Sequence, residues 1–280
     1  MIIQEITKGI TIISAGKRNA RPHVKSKIHL CQFDPGNEKV TTKTLFEIDQ
    51  NTKWVTRVFE NLYPALPKDH HEVIVETAKH DEQFEKISSK QLAEIFQTYV
   101  NRYIALSKKP GVKYVFLMKN HGREAGASIP HEHSQILALP FVPEFIASEF
   151  NLKGKCIFCQ TAKQNIVFQN EKFAVVRPSF ARFPLECWVI PKQHLEDFTE
   201  FDNKTALLLM QALQESVKGL KHKTESYNFA FHNSFRNGKV HFHVEVYPRT
   251  DIHAGLELGT GTIINAMDVK KALAILKAKN

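Results

Sequence analysis

The sequence predicts an α+β protein built as a tandem duplication, with antiparallel sheets and one main helix per half. Two observations predict it. The first is internal repetition. Residues 31–140 contain, in order, CQFD, RVFENLYPAL, HEVIVETAKHDEQF, a long amphipathic stretch, YVFLMKN and HEHSQILALP. Residues 156–248 contain CIFC, FAVVRPSFARFPLECWVIPKQHLEDF, a second amphipathic stretch, YNFAFHN and HFHVEVYP. The spacing agrees too: 51 positions separate His80 from His131, and 47 separate His194 from His241. The second observation is that strand-like runs cluster around a single helix in each half instead of alternating with helices.

Each element has a local cause. Ser88-x-x-Gln91 reads as a capping box ahead of LAEIFQTYVNRYIAL. Leu92, Ile95, Phe96, Tyr99, Val100 and Tyr103 follow the helical period there. In the second half Asp202 caps a helix through TALLLMQALQESVKGL. EVIV, YVFL, CWVI and VEVY are strands, rich in β-branched and aromatic residues. The boundary falls in FVPEFIASEFNLKGK, giving an N-terminal domain over 1–145 and a C-terminal domain over 146–280.

Composition narrows the function classes. The chain has 280 residues, 42% apolar and 24% charged, as expected of an ordinary globular protein. MIIQEITKGITII is broken by Gln4, Glu5 and Lys8, so it matches neither a signal peptide nor a membrane span, and a cytoplasmic location is expected. The formal charge of +9 is spread along the chain without an arginine-rich arm. That argues against a nucleic-acid partner and for anionic small molecules drawn into a cleft.

Four cysteines accompany fourteen histidines. Cys156 and Cys159 form a Cys-x-x-Cys knuckle, which in a cytoplasmic chain points to metal or redox chemistry. The repeat nominates His194 and His241 to complete a tetrahedral zinc set of thiolates and imidazoles. The corresponding first-half set is Cys31, Asp34, His80 and His131, with a carboxylate in place of the second thiolate. One zinc site is expected; the second stands between a weaker metal site and a metal-free Asx-Pro-Gly turn.

Residues 120–140 read NHGREAGASIPHEHSQILALP. Histidines at i and i+2 of a strand share a face, beneath a glycine-containing loop that a ligand can approach closely. This is a phosphate-site pattern. With RVFENLYPAL, CIFC, HFHVEVYPR and AGLELGTG it resembles the galactose-1-phosphate uridylyltransferase and ADP-glucose phosphorylase branch of the histidine-triad superfamily, in order and over nearly the whole chain.

The resemblance implies two histidine-triad-like folds side by side, usually in a homodimer, and a double displacement through a nucleotidylated histidine. It assigns His133 as nucleophile, His131 as zinc ligand or anchor, and Gln135, Ser128 and Asn120 as phosphate-facing groups. Arg18, Arg21, Arg57 and Asn61 would line the nucleotide pocket, and Glu257 would contact the hexose, in the partner's site if the dimer forms.

A neutral imidazole suits the attack, given an acceptor that holds its tautomer. Amides around Gly126 to Ser128, the Ser128 hydroxyl and the Gln135 amide are candidate donors to the charge that develops. Histidine-triad hydrolases place a third histidine where Gln135 stands. An amide does not titrate near neutral pH, so transfer to a phosphate acceptor is expected over hydrolysis. His241-Phe-His243-Val-Glu245 lacks both loop and glutamine and is read as non-catalytic. Two departures from the family pattern are Asp34 at a cysteine position and Glu132 in place of proline, the latter expected to face away from the histidines and be exposed.

The expected reaction moves a nucleoside monophosphate between a nucleoside diphosphate sugar and a sugar 1-phosphate or phosphate. A diadenosine polyphosphate phosphorylase or hydrolase would use the same nucleophile on another leaving group. A non-catalytic nucleotide- or RNA-binding protein is the alternative from a different class.

Overall fold

A computed structural model of the chain describes residues 2–5, 10–16, 18, 31–150, 154–236 and 238–278. The first half contributes strands β3 (Thr44–Gln50), β4 (Lys53–Glu60), β5 (His71–Val75), β6 (Tyr114–His121) and β7 (His133–Leu139), with helix α1 (Ser89–Ser107) between β5 and β6. These follow a small hairpin of β1 (Ile2–Glu5) and β2 (Ile10–Ile13). The second half repeats the plan with β8 (Ile166–Gln169), β9 (Phe173–Val176), β10 (Cys187–Pro191), helix α4 (Asn203–Leu220), β11 (Tyr227–His232) and β12 (His243–Pro248). Short helices α2 (Glu144–Phe150) and α3 (Ile157–Thr161) connect the halves, and α5 (Gly255–Thr260) and α6 (Val269–Leu276) follow β12.

All ten repeat strands form one antiparallel sheet in the order β3-β4-β5-β7-β6-β11-β12-β10-β9-β8. The two halves are mirror-ordered and joined by β6 against β11, where Asn120 pairs Asn228 and Lys119 pairs Phe229. This continuity follows from exposed strand edges. A five-stranded half ending at β6 leaves a row of unpaired amides and carbonyls, which the matching edge of the other half satisfies.

Both long helices cover the same face. α1 buries Leu92, Ile95, Phe96, Tyr99, Tyr103 and Leu106, while α4 buries Leu209, Met210, Leu213, Val217 and Leu220. They share one apolar core with strands of both halves. The Gln214 amide on α4 donates to the carbonyls of Phe84 and Ile87 at 2.8 and 2.9 Å, tying the halves together. Ser88 caps α1 as expected, accepting from the Gln91 amide at 3.2 Å. The Gln91 side chain does not complete the box. It donates to the carbonyls of Val55 and Glu76, because the sheet lies within its reach. Asp202 caps α4 through Thr205 at 2.6 Å.

One expectation is overturned on this helix-covered face. Glu132 is buried, 1% exposed, not solvated. It is ion-paired with Lys119, receives His121 Nδ1 at 3.1 Å and accepts from the Phe84 amide at 3.0 Å. Lys119 is paired with Glu76 as well, and Glu76 also accepts from the Tyr99 hydroxyl at 2.5 Å and from Ser134. Burial alone would raise the Glu132 pKa, but Lys119 and His121 hold it well below the usual carboxylate range. For Lys119, burial pulls the pKa down, and Glu132 and Glu76 raise it above its ordinary value. Among the described residues no helix is long and apolar enough to cross a membrane.

Candidate active site

The opposite face of the sheet carries the predicted site. His133 opens β7, is 6% exposed and lines an open cleft. Gln135 and Ser128 line the same cleft, with Asn61 and Thr41 as further polar walls. Phe33, Phe59, Val73 and Ile129 supply apolar walls. The Phe33 ring meets the His133 ring edge-on, centroids 5.1 Å apart.

The hydrogen bonds of His133 determine its chemistry. Its Nδ1–H donates to the His131 carbonyl at 2.8 Å. A carbonyl only accepts, so the proton sits on Nδ1 and Nε2 keeps its lone pair. Burial lowers the pKa to about 4, so the ring is a free base at neutral pH.

Gln135 is oriented by a chain of donors. The Ala65 amide donates to His71 Nδ1 at 3.0 Å, which puts the His71 proton on Nε2. That proton goes to Gln135 Oε1 at 2.9 Å. Asn61 Nδ2 reaches the same oxygen at 3.3 Å, and Asn61 Oδ1 accepts from the Tyr63 amide at 2.9 Å. With Oε1 taken twice, the Gln135 NH2 is the end that can donate into the cleft. The sequence alone does not single out His71. HHEV shows a histidine on a strand, with no sign that it would meet Gln135 across the β5–β7 pairing. Replacing it by leucine removes the orienting donor. His71→Leu is expected to lower kcat about 10- to 100-fold with a smaller change in KM, read by steady-state kinetics.

Other predicted residues take different places. Gly126 has φ +82° and donates its N–H to the Arg123 carbonyl at 2.9 Å, while Ala127 donates to Gly122 at 3.1 Å. These two amides close the loop on itself, each bonded to a carbonyl of the same loop. Arg57 is 2% exposed, donates to Thr44 and Thr41 hydroxyls at 2.9 and 2.7 Å, and lies 4.9 Å over the Phe59 ring. It therefore acts behind the wall, holding Thr41, and not as a lining residue. Arg18 donates to the Tyr63 carbonyl at 3.3 Å, at the rim of the cleft. Arg21 lies outside the described residues. Asn120 is on β6 and shares the face of His133. Glu257 is on exposed α5, where its carboxylate accepts from the Ala254 and Ile264 amides at 3.0 and 3.3 Å, and it does not line the cleft of its own chain.

Both predicted metal sets converge, each with its donor atoms within 4.8 Å of one another. In the knuckle, His241 Nδ1 is 3.5 and 3.3 Å from the sulfurs of Cys156 and Cys159, and His194 Nδ1 is 3.5 Å from Cys159. Tetrahedral zinc with ordinary Zn–S and Zn–N bonds would put nitrogen and sulfur about 3.5 Å apart. The donor set therefore fits zinc. In the other set, His131 donates Nε2–H to the Thr77 carbonyl at 2.7 Å, so its Nδ1 lone pair faces Asp34 Oδ1 at 3.0 Å and Cys31 Sγ at 3.7 Å. Asp34 Oδ1 is also 2.8 Å from His80 Nδ1. Electron-rich atoms facing one another suit a cation between them, yet the nitrogen–oxygen distances are hydrogen-bond lengths, shorter than the edges of a zinc tetrahedron.

The second repeat preserves the form of the site without its opening. His243 donates Nδ1–H to the His241 carbonyl at 2.9 Å, as His133 does to His131. It is fully buried, stacked 4.1 Å from Phe158, and faces Glu245 at 3.7 Å. Glu245 occupies the Gln135 position and binds Arg182 at 2.5 Å. A carboxylate there would repel a phosphate. Glu149, His232, His243 and Glu245 form a third group with cation-binding donors.

Residues 67–143 match the model of the galactose-1-phosphate uridyl transferase N-terminal domain, and residues 160–251 match that of the HIT domain. An ADP-glucose phosphorylase of Arabidopsis thaliana is 30% identical, over 93% of this chain and 84% of its own length. A galactose-1-phosphate uridylyltransferase of Thermotoga maritima is 29% identical, over 78% of this chain and 83% of its own. The crystal structure of an Arabidopsis thaliana ADP-glucose phosphorylase with bound ADP-glucose superposes with a TM-score of 0.84 at 26% identity, covering 100% of this chain and 99% of that one. The chain belongs to the galactose-1-phosphate uridylyltransferase and ADP-glucose phosphorylase branch of the histidine-triad superfamily, a family of nucleotidyltransferases.

Proposed function

We propose that the protein transfers a nucleoside monophosphate from a nucleoside diphosphate sugar to a sugar 1-phosphate or to inorganic phosphate, through a nucleotidyl adduct on His133. The observation that carries this is the tautomer of His133, whose Nε2 lone pair is available in a cleft furnished with Gln135 and Ser128. Nε2 attacks the α-phosphorus and the bond to the β-phosphate oxygen breaks, releasing sugar 1-phosphate. That leaving group is already a stable anion and needs no general acid, which agrees with a glutamine at position 135. The ring becomes positively charged while Nδ1–H still donates to the His131 carbonyl, whose dipole stabilises it. In the second step an acceptor phosphate oxygen attacks the same phosphorus, the P–N bond breaks and neutral His133 returns.

Isotope exchange tests the reading. Enzyme with a nucleoside diphosphate glucose and labelled glucose 1-phosphate should exchange label into the nucleotide sugar with no third substrate. Fast hydrolysis insensitive to added sugar 1-phosphate or phosphate would overturn it. Running UDP-glucose, ADP-glucose and diadenosine polyphosphates in parallel identifies the nucleotide.

Zinc would be held by Cys156, Cys159, His194 and His241, where it would cross-link the α3 knuckle to the strand segment before β12. Its contribution there is structural. Metal analysis should find one zinc per chain that Cys159→Ser removes, lowering Tm by roughly 5–10 °C. Four unpaired cysteines, two of them ligands, suit a reducing cytoplasm. The region around α5 exposes Ile252 by 95%, Leu258 by 76% and Ile264 by 65%. A second copy of the chain covering this surface would bring Glu257 toward the partner's cleft.

A further inference from the structure

The second half has no open cleft at its own His-x-His, but its strand β11 pairs with β6, the neighbour of the strand that carries His133. The β6–β7 register pairs Met118 with Gln135 and Lys119 with Ser134, so the next step sets Asn120 opposite His133. The β6–β11 register then pairs Asn120 with Asn228. Residues opposite one another in antiparallel strands share a face. His133, Asn120 and Asn228 therefore form one row across the joint between the halves.

Asn228 has two contacts there and both are donations. Its Nδ2 gives one hydrogen to Asn120 Oδ1 at 2.7 Å and the other to the Ala125 carbonyl at 2.9 Å. The first bond fixes the Asn120 amide: with Oδ1 accepting, its NH2 is the end that can donate to a ligand beside His133. The second holds the 122–128 loop, which ends at cleft-lining Ser128. Two further contacts hold the same loop against Ser226, the residue that precedes β11. Ser226 Oγ donates to Glu124 Oε2 at 2.5 Å. Gly122 has φ +81° and packs so tightly on Ser226 that a Cβ there would collide with it.

We propose that Asn228, with Ser226, is a positioning residue contributed by the second half to the first half's reaction: it sets the donor end of Asn120 and clamps the loop bearing Ser128. The inert repeat is on this view retained as a support behind the active site. The inference rests on the proposed transfer at His133 for what the loop serves, while the clamp itself can be measured without chemistry.

Two measurements on the full chain test it. In single-turnover labelling with UDP-glucose or ADP-glucose, Asn228→Ala should slow nucleotidylation about 10- to 100-fold with Tm nearly unchanged. Asn228→Asp, which has no hydrogen to give, should be no faster. In an Asn120→Ala background, adding Asn228→Ala should cost less than about 3-fold, because part of the effect passes through Asn120. Labelling of Asn228→Ala at the wild-type rate, or a full and additive loss in the Asn120→Ala background, would overturn the inference. Hydrogen exchange gives the independent readout: Asn228→Ala should speed exchange of amides 122–128 while leaving β6 and β11 protected. Unchanged loop exchange would overturn the clamp even if no nucleotide sugar labels the wild type, an outcome that would separately refute the proposed function.

Discussion

Replacing His133 with asparagine is expected to lower nucleotidyl transfer by at least about 10⁴-fold, with the fold and Tm largely kept. Asparagine fills much of the space and can still donate to the His131 carbonyl, but it has no lone pair able to attack phosphorus. Exchange kinetics and thermal melting of His133→Asn, side by side, check this. The pH profile belongs to the same prediction. Burial lowers the His133 pKa to about 4. A base with a lowered pKa stays unprotonated until the pH approaches that value. Adduct formation should therefore be level from about pH 8 to 5 and fall below that as Nε2 takes a proton. A fall centred near pH 6.5 would mean that the ring titrates as though exposed.

Replacing Lys119 with methionine should produce the largest loss of stability. Glu76 and Glu132 both lie against this lysine in the core, and neither is more than 1% exposed. Removing one member of a buried ionic group strands the others, which costs about 3–5 kcal/mol. For a chain of this size that is a Tm lower by roughly 10 °C. Adding Glu132→Gln should recover part of the loss, since one stranded charge is then removed. Differential scanning calorimetry of the single and double variants checks both. A single variant melting with the wild type would mean the network contributes little.

How far such features could be foreseen depends on whether they are local. Helices α1 and α4 repeat apolar residues at the helical period, so their existence and inner faces follow from neighbours in the chain. The HEHSQ pairing follows from alternation on one strand, and the knuckle from a three-residue spacing. Glu132 shows where local reasoning ends. Alternation correctly sends it away from the histidine face, but whether that face meets water depends on α1 and α4 packing over the joint. Gln91 likewise satisfies a cap pattern, yet finds better acceptors on a sheet that no local signal describes. His71 and Asn228 gain their roles from strand pairings between residues 64 and 108 positions apart from their partners. The fusion of both repeats into one ten-stranded sheet belongs to the same class of non-local fact.

The most direct test is mass spectrometry of the protein quenched in base after incubation with a nucleoside diphosphate glucose, followed by fragmentation of the peptide containing residues 131–135. A gain of one nucleoside monophosphate, located on the ring of residue 133 and discharged by glucose 1-phosphate or phosphate, is the predicted result. An adduct on another residue, or turnover with no adduct at any time, would contradict it.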